Sequence, residues 1–154
     1  MNQERLIRSG LSWLGRIVLG VAFIYAALWK LKSPQDFADN IAAYQLLPPL
    51  AVNVFAMGLP VFELVCGLLV LSGFYVRVGA LGISSLLLFF GGALTLSQIR
   101  GLKIDCGCFG AHSWLDGTPW MAFARDGILL LLALMIYRFA VESSAQSNLA
   151  RSDR

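Results

Sequence analysis

Cys106 and Cys108 stand one glycine apart in Ile104-Asp105-Cys106-Gly107-Cys108-Phe109-Gly110, and they are two of only three cysteines in the chain. Gly107 lacks a Cβ, so the backbone between the thiols can take turns closed to other residues. Such a pair can form a tight disulfide, contribute half of a soft-metal site, or exchange disulfides with a partner protein. A disulfide between positions i and i+2 barely reaches unstrained geometry, and strain makes the bond easier to reduce. Closing so small a loop adds little chain entropy, which weakens a purely structural reading. A tetrahedral metal site wants four nitrogen or sulfur donors. Only His112 lies near, with Asp105 and Asp116 as poorer ligands, so no metal is expected unless a second copy supplies the missing donors. Arg100 and Lys103 favour a thiolate, and Asp105 opposes it.

Three further groups could take part. His112 is the only histidine; it could shuttle a proton for a cysteine or be a solvated loop residue. Glu63 falls in an apolar stretch, where a carboxylate is costly unless buried and paired. It could belong to a proton path or a quinone head-group site, or be a structural partner of Arg16, Arg125 or another buried donor. Arg125-Asp126 is the remaining charge pair in an apolar segment, and structural locking is its expected role. Consecutive helical residues point about 100° apart, so the two need not pair with each other, and Arg125 could reach Glu63 across the molecule.

The elements that must position these groups follow from composition. Of 154 residues, 58% are hydrophobic and 14% charged, against roughly 25% charged in soluble domains. Four apolar segments, 11–29, 50–71, 76–96 and 119–141, approach or exceed the roughly 20 helical residues that cross a bilayer. Backbone in lipid must satisfy its own hydrogen bonds, so the expected fold is all-α, a four-helix membrane bundle in a single domain. The apolar run from Leu11 to Trp29 exceeds a signal-peptide core of about 7–15 residues, so a retained first span is expected. Arg16 near its end can snorkel to the interface. Glycines 20, 58, 67, 79, 82, 91 and 92 would let helices approach closely. The segment from Glu142 onward reads as a loose polar tail.

Between spans one and two, Ser33-Pro34-Gln35-Asp36 resembles a capped helix start. Phe37, Ile41, Tyr44 and Leu47 then recur at helical spacing before Pro48-Pro49. This predicts a short amphipathic helix on the membrane surface, a lid on the side where the thiol loop emerges. Trp29, Tyr44, Trp114 and Trp120 read as interfacial aromatics. An even number of spans puts Arg5, Arg8, Arg16, Arg77, Arg138, Arg151 and Arg154 on one side and Lys30, Lys32, Arg100, Lys103 and Arg125 on the other. The excess of positive charge favours cytoplasmic termini in a prokaryotic inner membrane and a periplasmic thiol loop, where disulfides persist. The formal charge of +3 is scattered around the spans, which argues against nucleic-acid binding. No phosphate-binding loop, dinucleotide fingerprint, His-Glu-x-x-His or serine-triad signature is present, which argues against nucleotide-driven or hydrolytic chemistry.

With these residues in view, the chain resembles the DoxX-like superfamily of small four-helix membrane proteins, in its MauE (methylamine-utilisation) branch. The resemblance rests on Lys30-Leu31-Lys32-Ser33-Pro34, Leu59-Pro60-Val61-Phe62-Glu63 with Gly67, Asp105-Cys106-Gly107-Cys108-Phe109-Gly110 and Arg125-Asp126. It implies a redox-associated membrane protein linked to maturation of a disulfide-rich periplasmic enzyme with a thioredoxin-like partner. Other members of the superfamily are associated with sulfur-compound oxidation coupled to quinone, or with oxidative-stress complexes. Carried onto this chain, Cys106 and Cys108 become the redox pair, exchanging with a thioredoxin-like or rhodanese-like protein and with quinone as acceptor. The alternatives are a non-catalytic membrane anchor or assembly factor, and a small-solute transporter. A homo-oligomer is compatible with each.

Overall fold

The computed structural model describes residues 3–101 and 119–152, with side chains at 10, 12–101 and 120–142. Five helices account for nearly all of it: α1 (Gln3–Lys32), α2 (Pro34–Ala43), α3 (Pro49–Ser72), α4 (Val76–Ile99) and α5 (Pro119–Ser152). Each of α1, α3, α4 and α5 contains a stretch of 21 to 24 residues apolar enough to cross a bilayer. The expected four-span bundle with a short helix after span one is what forms.

Side-chain partition follows the bilayer as solvent. Only 22–39% of the most apolar window in each span is buried inside the bundle. Val21, Val61, Leu88, Ile128 and Leu131 point outward. In water these faces would be unstable; against lipid tails they lose nothing, and helix association rests on van der Waals fit. The inward stripe, centred on Leu19, Phe23, Cys66, Val70, Ile83, Leu87, Ala133 and Ile136, makes one continuous core.

Backbone approach is closest where glycine removes the Cβ. A Cβ on Gly20 would sit 3.1 Å from the Gly67 carbonyl, and one on Gly67 would sit 3.2 Å from the Gly20 carbonyl, so α1 and α3 cross there. Between α3 and α4, a Cβ on Gly82 would come within 2.5 Å of the Cys66 Sγ. Gly58, Gly91 and Gly92 have open space beside them, so the close packing expected at those positions does not occur. The α3–α4 turn is tight because Gly73 takes φ +79°, a left-handed helix end that favours glycine.

Two boundaries differ from expectation. Helix α5 runs on to Ser152 where a loose tail was expected; its polar end can continue the backbone hydrogen-bond ladder begun within the membrane. Ser33 occupies the cap position of α2, but its hydroxyl makes no capping bond. The first turn is held instead by the Phe37 amide donating to the Ser33 carbonyl at 3.2 Å.

Chain direction places α2 at the same end of the bundle as the C-terminus of α4 and the start of α5. Ile41, Tyr44 and Leu47 join Phe55, Phe89 and Leu96 around one groove. Leu94 packs on Ala122 and Phe123. At the opposite end, the Arg77 guanidinium donates to the Ala140 and Val141 carbonyls at 3.1–3.2 Å, tying α4 to α5.

Candidate functional site

Helix α1 carries its buried positions at Leu19, Phe23, Ala26 and Ala27, and the next position in that stripe is Lys30. Helix α3 carries Val52, Ala56, Pro60 and then Glu63. The helical repeat therefore turns a cation and an anion inward, toward each other. The Lys30 Nζ donates to both carboxylate oxygens of Glu63, at 2.6 and 2.7 Å, and each residue is 2% exposed. A lone charge at this depth would be expelled or neutralised; a mutually bonded pair is tolerated because each supplies what water would have given the other.

Aromatic rings complete the surroundings of the ammonium. Its Nζ lies 5.1 Å from the centroid of Phe37 on α2 and 4.9 Å from that of Phe90 on α4. Each ring face attracts a desolvated cation by about 0.5–2 kcal/mol. One side chain thus binds α1 to α3 through charge and to α2 and α4 through ring faces. Helix α5 enters through Asp126, which shares with Lys30, Glu63 and Phe90 the wall of a cavity of about 20 Å³. That is room for about one water molecule.

Arg125 and Asp126, which their helical spacing left free to pair elsewhere, are bonded to each other. The guanidinium folds back along α5, and its Nε and Nη2 each lie 3.1 Å from Asp126 Oδ1. The side chains are 11% and 10% exposed. Two of the named expectations for Glu63 are corrected here: its partner is neither Arg16 nor Arg125 but Lys30, read from sequence only as an outer-side basic residue. Arg16 sits beside the Gly73 turn at the other end of the bundle, too far along α1 to reach Glu63. Cys66 is buried one turn beyond Glu63 with its thiol free, packed on Gly82.

A second feature adjoins the first. Phe90 also lines an apolar groove of about 360 Å³ under α2, where Phe55 and Phe89 stack at 6.3 Å between centroids. Among the described residues, Tyr44 is its one hydroxyl-bearing residue. The ring of Phe90 therefore stands between the lipid-side groove and the ion-pair cavity. The other sequence candidates, Cys106, Cys108 and His112, lie outside the described residues. The helices on either side of them, α4 and α5, present their ends at the groove end of the bundle. Trp29 and Trp120 are exposed at that end, and Lys32 Nζ lies 5.7 Å from the Trp29 ring, as interfacial residues would.

Comparison with known proteins places this architecture. Residues 8–139 match the family model described as Methylamine utilisation protein MauE. A Methylamine utilization protein MauE from Paracoccus denitrificans is 36% identical over 133 residues, which cover 85% of this chain and 70% of the relative. One from Paracoccus versutus is 35% identical, covering 86% and 69%. A third, from Methylophilus methylotrophus, is 37% identical over 84 residues, covering 54% and 44%. No solved structure matches the chain.

Proposed function

Since this chain belongs to the MauE family, we propose that it is a membrane component of methylamine utilisation that exchanges thiols and disulfides through Cys106 and Cys108. The observation that carries this reading is the Cys106-Gly107-Cys108 pair, set in the connection between α4 and α5 at the end of the bundle that also bears α2. In the proposed orientation, with cytoplasmic termini in the inner membrane, that end faces the periplasm.

The exchange is written as two half-reactions. A thiolate of a thioredoxin-like or rhodanese-like partner attacks one sulfur of the Cys106–Cys108 disulfide, forming a mixed disulfide and releasing the other sulfur as thiolate. The partner's second thiol then resolves the mixed disulfide, leaving the partner oxidised and Cys106 and Cys108 as a dithiol. Reoxidation removes two electrons and two protons, for which a quinone is the proposed acceptor. The groove under α2 fits such a molecule in kind, being apolar, aromatic-walled and continuous with the lipid face. When bound, a quinone would supply two-electron acceptance. The residues that would hold it are Phe55, Phe89, Phe90 and Tyr44, which line the groove. His112 is the proposed proton carrier for the thiols.

Of Cys106→Ser and Cys108→Ser, made singly, the variant that keeps the attacked cysteine should trap a mixed disulfide with a periplasmic protein, identifiable by mass spectrometry. Recovery of no partner, together with full function of the double variant, would refute the proposal. Differential alkylation of intact cells separates it from the membrane-anchor reading, under which the thiols hold one redox state in all growth conditions.

A further inference from the structure

At the end of the bundle that carries the chain termini, Arg16 holds a guanidinium whose Nε is buried and has no hydrogen-bond partner. We propose that Arg16 and Ser12 form a binding site for the phosphate of an anionic phospholipid in the leaflet on that side. This inference stands apart from the thiol chemistry and from the apolar groove, and uses none of their residues.

Helical spacing brings the two residues together. Ser12 lies four positions before Arg16, one turn away on the same face of α1. That face continues into Gly20, which meets Leu71 and the Gly67 carbonyl, so it looks toward the last turns of α3. The Arg16 Nη1 lies 3.8 Å from where a Cβ on Gly73, the residue that ends α3, would sit. Ser12 is only 9% exposed and Arg16 is half-buried, which sets a hydroxyl in the protein wall and a cation at its edge. Buried donors nearly always have a partner, within the protein or bound to it. Among the described side chains, the one carboxylate at this end is Glu142, exposed on α5, and it leaves Nε unmatched.

Depth selects the ligand. The apolar span of α1 begins at Ser12, so Arg16 sits about 6 Å inside it at 1.5 Å of rise per residue. From there an arginine side chain reaches the headgroup layer, where lipid phosphates lie. Trp13, Phe74 and Tyr75 are exposed at this end, as rings at headgroup level are. Phosphate also matches the donors. Nε–H and an Nη–H make a parallel fork for two non-bridging oxygens, and the Ser12 hydroxyl can donate a third bond. Because Nε is closed off in the present rotamer, the incoming phosphate draws the guanidinium outward until both donors of that edge are bonded. A net-negative headgroup is favoured, since choline or ethanolamine would set a second cation beside Arg16.

Titrating phosphatidylglycerol into phosphatidylcholine nanodiscs that hold the whole protein, with native mass spectrometry as readout, tests this. The wild type should retain one phosphatidylglycerol. Arg16→Gln should weaken that retention roughly 10- to 100-fold, and Ser12→Ala roughly 3-fold or more. Arg138→Gln, which removes an exposed charge from the same end of α5, should leave it unchanged. Should Arg16→Gln fail to fold, Ser12→Ala decides, because it keeps the charge and removes only a hydroxyl. Millimolar inorganic phosphate should not displace the lipid; displacement, with phosphate itself bound in an Arg16-dependent way, overturns the lipid assignment. Equal retention by the wild type and Ser12→Ala, or an equal loss in Arg138→Gln and Arg16→Gln, overturns the site.

Discussion

Lys30 and Glu63 show how a charged residue can be structural in lipid when its partner is built in. Each is 2% exposed, and the pair satisfies both carboxylate oxygens. Breaking such a pair from one side leaves an unmatched charge, at a typical cost of about 3–5 kcal/mol, whereas replacing both members with apolar side chains is often neutral. Lys30→Met alone and Glu63→Leu alone should therefore lower the thermal midpoint of the detergent-solubilised protein sharply, and the double variant should recover most of the loss. Equal losses in the double and single variants would show that packing, not charge, sets the cost. The inward position of both residues is legible in the sequence once the stripe Leu19-Phe23-Ala26-Lys30 is set beside Val52-Ala56-Pro60-Glu63. Reading Lys30 only as the end of an apolar run hid this, because span ends are where lysines usually reach for water.

At the scale of elements, helix crossings depend on a few glycines, and most of the glycines do not take part. Gly82→Ala puts a methyl within 2.5 Å of Cys66 Sγ and should destabilise the bundle by about 1–3 kcal/mol. Adding Cys66→Ala should restore part of that loss, a coupling that a double-mutant cycle of unfolding midpoints would reveal. Gly91→Ala, with open space beside it, should change little. Gly73→Ala forces a Cβ into φ +79° and should cost about 1 kcal/mol, read in the same unfolding assay. Glycine content alone could not separate these cases. Whether a Cβ has room depends on which helix lies opposite, and that is a property of the assembled bundle. The long α5 teaches the same point, since a polar sequence past the membrane edge says little about whether the ladder continues.

For the whole molecule, the orientation in the membrane governs every chemical proposal. With cytoplasmic termini, a membrane-impermeant maleimide should label Cys106 and Cys108 in reduced intact cells and spare a cysteine placed at Ser143. Labelling of the Ser143 site alone would invert the topology and remove the periplasmic partner. The sequence by itself determined that the chain is a four-span helical membrane protein with a short helix after span one, because length and apolar content leave lipid-exposed backbone no other structure. It also isolated the Cys106-Gly107-Cys108 motif, since a local spacing is fully contained in the sequence. Only the tertiary structure decided which charges meet. Lys30 and Glu63 are 33 residues apart, and their pairing, the rings of Phe37 and Phe90 around them and the cavity shared with Asp126 arise from five helices converging. Helical periodicity turns a residue inward, but the crossing of helices selects its partner.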